Sequence, residues 1–246
     1  MTPKRSVVVV CGASGDLGKA YLTHYAANGE TCYGLTRNEA ADVKSVNYIK
    51  TDLLDKDETR RRVRDVETSG ADELLIIHAV GKFKWEGNNQ YTFTDQDVMA
   101  SNLNTFRNAA GPLMEMNTSL PIKIVAFGSL SDTYSVPMWR SYSRAKLALR
   151  REMREIARDN AGVVSVFFSI GSINTESERR MRPYADTAFW IKPEDVVAKS
   201  AEPIENAELP YTEIDIFEPW PDYYPGYFGD FKALREKWER EMGTGK

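Results

Sequence analysis

Seven short runs rich in β-branched and other apolar residues recur along the chain, and most of the gaps between them read as helices. The runs are Ser6–Cys11 (SVVVVC), Thr31–Thr36, Ser45–Lys50, Glu73–Val80, Ile122–Ser129, Val163–Ile170 and Tyr211–Phe217. Runs so short and so uniformly apolar are buried on both faces, the pattern of parallel strands covered by helices. The intervening stretches carry helix punctuation. Asp55 can cap the segment that follows it, and Thr94 with Asp97 three residues on forms a capping pair. Gly29 suits the residue just past a helix end, and Pro193 a first helical turn. Segments 94–117 and 140–162 each read as one long helix. This alternation predicts an α/β fold: a single doubly wound parallel sheet of about seven strands with helices on both faces.

With no internal repeat or second core, residues 1–217 read as one domain. Residues 218–246 differ, carrying three prolines, dense aromatics and then a charged helix. Aromatics at that density are costly to leave in water, so this extension is expected to pack on the domain or on a partner subunit, with its GTGK end frayed. The 246 residues carry a formal net charge of −4, which gives no electrostatic case for nucleic acid or an anionic membrane. The apolar runs are too short to span a bilayer or to form a secretory leader. Cys11 and Cys32 are the only cysteines, and no Cys/His cluster has metal-ligand spacing. A cytoplasmic protein with no structural disulfide and no metal is expected.

The first motif with a mechanism is VVVVCGASGDLGKAYL, in which a strand runs into Gly12, Gly15 and Gly18 and then into a helix. Glycines at this spacing permit a tight turn, close backbone approach to a pyrophosphate and close helix–strand packing. The helix N-terminus adds free N–H groups aimed at an anion. The residues between them, Ser14, Asp16 and Leu17, share the loop. At the end of the second run an acidic residue would grip a ribose 2′-hydroxyl, but the chain reads Thr36-Arg37-Asn38. Arg37 suits a 2′-phosphate, so NADP(H) is preferred, with NAD possible. A second motif is YSRAK, which puts Tyr142 and Lys146 one turn apart on one helix face.

Taken together and in order, these pieces resemble the short-chain dehydrogenase/reductase family from Val7 to about Phe217. GASGDLG resembles its glycine motif, and TDLLD places Asp52, with Leu53 beside it, where the family contacts adenine. HAVGKF stands where the family has Asn-Asn-Ala-Gly; Gly81 is kept, and Ala79 shares that turn. VMASNLNTF resembles the helix of the catalytic asparagine, here Asn102, and YSRAK the Tyr-x-x-x-Lys motif. The family's serine stands thirteen residues before the tyrosine, which selects Ser129 in GSLSD and leaves Ser131 in reserve. In FFSIGSINTE, Ile170 replaces the family's proline, Gly171 stays, and Thr175 falls where a threonine meets the nicotinamide carboxamide.

The resemblance implies a Rossmann-like domain and reversible reduction of a ketone or aldehyde. Tyr142 acts as general acid/base, Ser129 holds the substrate oxygen, and Asn102 holds a relay water. Lys146 binds the nicotinamide ribose. A free phenol ionises near pH 10, and the Lys146 cation beside it favours phenolate. Tyr142 and Lys146 thus count both as catalytic and as cofactor-binding. Two alternatives stay open: a nucleotide-sugar epimerase or dehydratase, and a non-enzymatic NADP(H)-binding regulator. The pocket is expected between the 81–95 and 174–190 segments. Lys82, Lys84, Arg179, Arg180 and Arg182 read first as solvated charge interleaved with Glu176 and Glu178, and second as a grip on an anionic substrate. Trp85, Tyr184, Phe189 and Trp190 read as core or as cover for a planar substrate. The resemblance also implies a homodimer or homotetramer through the two long helices, acting on a small carbonyl or alcohol, with no nucleic-acid or membrane partner.

Overall fold

A computed structural model describes residues 5–38, 43–87, 93–129, 132, 134, 136–218 and 228–244. Ser131, residues 88–92 of the first pocket segment, the aromatic stretch 219–227 and the last two residues lie outside the described set.

Seven parallel strands form one sheet. They are β1 (Ser6–Cys11), β2 (Thr31–Thr36), β3 (Val46–Lys50), β4 (Glu73–His78), β5 (Ile122–Ser129), β6 (Val163–Ile170) and β7 (Tyr211–Ile216), in the order β3-β2-β1-β4-β5-β6-β7. The helices are α1 (Asp16–Ala27), α2 (Lys56–Arg62), α3 (Asp95–Met99), α4 (Thr105–Met116), α5 (Arg140–Asp159), α6 (Glu176–Met181), α7 (Pro193–Glu205) and α8 (Phe231–Glu241). The order reverses between β1 and β4, and a doubly wound sheet opens its ligand crevice at such a switch point, beyond the strand carboxyl ends.

The strand alternation sorts the core into two layers. Val7, Val9 and Cys11 face one cluster with Phe106, Leu113, Leu149 and Met153 from α4 and α5. Val8 and Val10 face the other, with Tyr21 and Leu22 of α1 and Val196 and Val197 of α7. A strand buried on both faces needs apolar residues at consecutive positions, which is what the valine run supplies.

The caps read from sequence form: Asp55 accepts from the Glu58 N–H, Thr94 and Asp97 close a capping box, and Gly29 follows α1 with φ +84°. Three boundaries move. β4 ends at His78 rather than Val80, β3 begins after Ser45 (φ +65°), and β7 ends at Ile216. The long helix expected over 94–117 is broken by a π-turn at Ala100–Asn104, which separates α3 from α4. Asn102, wholly buried, sits in that turn.

The C-terminal α8 returns across the domain and buries Leu234 and Trp238 against Trp85, Val136, Met138 and Trp139. Among the described residues no helix is long and apolar enough to cross a membrane.

Candidate active site

The glycine loop lies at the switch point. Gly12 has φ +85°, and a Cβ there would stand 2.7 Å from the Ala79 carbonyl oxygen on the neighbouring β4 turn. A Cβ at Gly18 would stand 2.3 Å from the Gly12 oxygen, so this glycine lets α1 pack directly under the loop. The loop is pinned to β2 by Gly12 and Ala13 N–H groups donating to the Leu35 oxygen at 3.1 and 3.2 Å. Gly15 caps α1 without a side-chain bond, which leaves the helix's first N–H groups for a ligand.

Two adjoining cavities follow the strand ends. One, of 210 Å³, is walled by Gly12, Ser14, Gly15, Arg37, Asp52, Leu53, Ala79 and Gly81. The other, of 260 Å³, is walled by Leu17, Ala79, Gly81, Ser129, Tyr142, Lys146, Gly171 and Thr175. The shared turn Ala79–Gly81 makes them one crevice, and a dinucleotide is the group that a glycine loop at such a switch point takes. The residues fit such a group: a glycine cradle that a Cβ would fill, followed by free helix N–H groups. Among the described residues no cluster of His, Cys, Asp or Glu is arranged for a metal.

The structure assembles Ser129, Tyr142 and Lys146 on one cavity wall. Lys146 is 6% exposed, donates to the Phe127 oxygen at 2.9 Å, and holds its Nζ 5.5 Å from the Tyr142 ring centroid. Burial pulls its pKa down to about 8, partly opposed by the charge of Asp132. Behind it, Asn102 donates from Nδ2 to the Lys82 oxygen (3.0 Å) and the Val98 oxygen (2.8 Å). Its Oδ1 is buried without a hydrogen-bond partner. A Cβ at Gly81 would fall 2.3 Å from that oxygen and 3.2 Å from Lys146 Nζ, so the retained glycine leaves room where both groups converge. Ser129 ends β5, and its N–H donates to Asp132. Asp132 is in turn held by Arg150 at 2.6 Å.

Other residues singled out in the sequence lie elsewhere. Asp16 accepts from the Glu176 N–H at 2.5 Å and tethers the glycine loop to α6, lining neither cavity. Thr175 lines the second cavity, but its hydroxyl caps α6 by accepting from the Glu178 N–H at 3.1 Å. Arg37 is exposed at the β2 tip. Arg179 and Arg180 stay on the surface, bonded to Asn174 and Glu176. Arg182 is neither solvated nor free for an anionic ligand. It is 1% exposed, donates to Glu178, Glu241 and Ser172, and lies against Trp190 and Trp238 at 4.5 and 4.1 Å. Trp85 and Trp190 are core, while Tyr184 is 74% exposed.

Three groups in the site escaped the sequence reading. His78 is buried in the cavity wall with Nε2 3.0 Å from Thr105 Oγ1. Because that hydroxyl donates to the Ser101 oxygen, it accepts from His78. The ring is therefore the Nε2–H tautomer, with an unpartnered Nδ1. Burial and nearby Lys146 push its pKa to about 3, so the ring is neutral. Asn38 Nδ2 bonds Ser14 Oγ at 3.4 Å and links the β2 tip to the loop. Phe83, Trp139, Phe228 and Trp238 form an aromatic wall beside Tyr142. Periodicity could flag these aromatics only as apolar.

Known proteins share this fold. The family model described as short chain dehydrogenase matches residues 6–184. Among curated proteins none matches the sequence. A short-chain type dehydrogenase/reductase from Mycobacterium ulcerans superposes with TM-score 0.71 at 18% identity, over 88% of this chain and 90% of that one. Actinorhodin polyketide ketoreductase, solved with NADPH, gives 0.75 at 16% identity over 89% and 98%. Aldohexose dehydrogenase from Thermoplasma acidophilum gives 0.71 at 16% identity over 87% and 92%. At such identities the superpositions speak for the fold, and the family model, which spans well over half the sequence, carries the assignment: the chain belongs to the short-chain dehydrogenase family of NAD(P)-binding oxidoreductases.

Proposed function

We propose that the protein reduces a ketone or aldehyde with NADPH, or runs the reverse oxidation, with Tyr142 as general acid/base. One observation carries the reading. In the same cavity stand a phenol, a buried lysine with a depressed pKa and a serine at a strand end, with the orphaned Asn102 oxygen behind them. A structural tyrosine–lysine pair would not need that convergence.

A bound NADP(H) would be held by the glycine loop and α1 N-terminus at its pyrophosphate, by Asp52 and Leu53 at its adenine, and by Lys146, Gly171 and Thr175 at its nicotinamide end. When bound, the nicotinamide supplies or accepts the hydride at the carbonyl carbon. Ser129 Oγ–H donates to the substrate oxygen and polarises the bond. Tyr142 gives that oxygen its proton, so hydride plus proton convert the carbonyl to an alcohol. The Lys146 ammonium stabilises the phenolate left behind, and a water on Asn102 Oδ1 returns a proton towards Tyr142 through Lys146. Arg37, at the β2 tip where NAD-specific chains of this fold carry a carboxylate, favours the 2′-phosphate of NADP(H).

Replacing Tyr142 with Phe tests the mechanism. Carbonyl-dependent NADPH oxidation falls about 10²–10⁴-fold in kcat while NADPH affinity, read by fluorescence titration, stays. Unchanged turnover would remove Tyr142 from the chemistry.

A further inference from the structure

We infer that Asp132, clamped by Arg150, is a positioning residue for the reaction: it anchors the Ser129 end of β5 and supplies the counter-charge that keeps Lys146 protonated beside Tyr142. This deepens the reductase reading of the site and rests on it.

Tyr142, Lys146 and Arg150 recur every four residues and so share one face of α5. Both cations on that face are buried. Burying two cations one turn apart is costly unless a carboxylate meets them. Asp132, whose side chain is wholly buried, meets Arg150 at 2.6 Å. Arg150 also donates to Ser169 Oγ on β6 at 2.9 Å and stands 3.1 Å from Glu213 on β7. One guanidinium thus ties the helix that carries Tyr142 and Lys146 to β6, to β7 and to the residue three places beyond Ser129.

The Asp132 carboxylate reaches the strand end itself. It accepts from the Ser129 N–H, and a Cβ on Gly128 would stand 2.9 Å from its Oδ2. Lys146 donates to the Phe127 oxygen of the same strand. Asp132 and Lys146 therefore flank the same three residues, Phe127 to Ser129. From other elements Lys146 is faced by His78 on β4, which is neutral, by the uncharged Asn102 and by Asp132. Among the described residues, Asp132 is thus the anion that opposes loss of the Lys146 proton. Asp132 in turn faces Arg150, Lys146 and Glu213. Burial raises its pKa to about 6 against the pull of Arg150, so it is charged at neutral pH.

Carbon-13 NMR of the lysine Cε atoms, with the Lys146 signal assigned from Lys146→Met, follows this proton in the full chain without turnover. In Asp132→Asn the Lys146 midpoint should fall from about 8 by roughly one pH unit or more, and Asp132→Glu, which keeps the charge, should restore most of it. NADPH oxidation with benzaldehyde and phenanthrenequinone as probes gives the kinetic side. In Asp132→Asn, kcat should fall about tenfold at pH 9 and little at pH 6, where Lys146 is protonated in both proteins. Asp132→Ala also removes the acceptor of the Ser129 N–H, and should lower kcat at pH 6 about tenfold further. Equal kcat for the two variants at pH 6 removes the anchoring role. If Asp132→Asn does not fold, Asp132→Asn combined with Arg150→Gln, which strands no cation, carries the same comparison. A Lys146 midpoint unmoved by the loss of Asp132, or a kcat ratio to the native chain that is the same at pH 6 and pH 9, overturns the inference. If the native chain binds NADPH but reduces neither probe, the reductase reading fails. The NMR midpoint then decides separately whether Asp132 holds the Lys146 proton.

Discussion

At the glycine-loop end of the crevice the wall is backbone. Gly12, Gly15 and Gly18 leave room, and main-chain contacts with the end of β2 and the turn after β4 hold the loop in place. At the aromatic end the wall is side chain. Phe83, Trp139, Arg182, Phe228 and Trp238 arrive from five separate segments and hold one another. The two ends also treat buried cations differently. Lys146, between them, is buried with a backbone carbonyl as its hydrogen-bond partner, and its pKa drops to about 8. Arg182 is buried between two indoles with Glu178 and Glu241 against it. The contrast teaches a division of labour. A cation placed where its proton is easily lost suits proton handling, whereas one saturated with carboxylates can only fasten structure.

The sharpest way to break that contrast is at Arg182. Arg182→Met keeps an apolar filler between the indoles but strands Glu178 and weakens the hold on Glu241. Urea denaturation should show a loss of about 3–5 kcal/mol, with NADPH affinity at the far end retained. An unshifted midpoint would mean that α8 is held by its tryptophans alone.

The second test uses pH. Lys146 binds its proton less tightly when folded, at about 8, than its usual 10.5. Between those values the unfolded chain binds more protons, so the penalty for burying the ammonium is full below pH 8. It is relieved as pH rises towards 10.5. Relative to Lys146→Met, the native protein should therefore gain stability across that window, by roughly 3 kcal/mol at most. A flat difference between the two melting series would show that the buried lysine is not depressed. The smallest effect is expected at the glycine-loop end. Arg37→Ala should weaken NADPH about tenfold, measured by fluorescence titration, and leave NADH unaffected. Equal losses for both cofactors would place Arg37 elsewhere than on the 2′-phosphate.

The two ends differed as much in legibility as in construction. The seven strands, the caps at Asp55 and Thr94, and the Gly29 terminus were readable because each depends on residues within a few positions. The placement of Ser129, Tyr142 and Lys146 on one wall agrees with their order in the sequence, since a parallel sheet brings successive strand ends to one edge. Arg182 could not be read. Beside Arg179 and Arg180 it looked like one more surface charge, and only the return of α8 encloses it. The π-turn at Ala100–Asn104 was equally hidden, because its apolar spacing matches an ordinary helix to within a residue. Asp16 was legible as a loop residue, but not as a tether to Glu176, 160 positions away.

By itself, then, the sequence determined the class of fold, the glycine cradle and the one-turn spacing of Tyr142 and Lys146. These follow from local backbone freedom, burial periodicity and helical geometry. Tertiary structure alone decided the depth at which Lys146 is buried, the tautomer of His78 and the aromatic wall closed by Trp238. Each of those depends on which distant groups share a cavity, and desolvation and ring packing act only once the chain has brought them together.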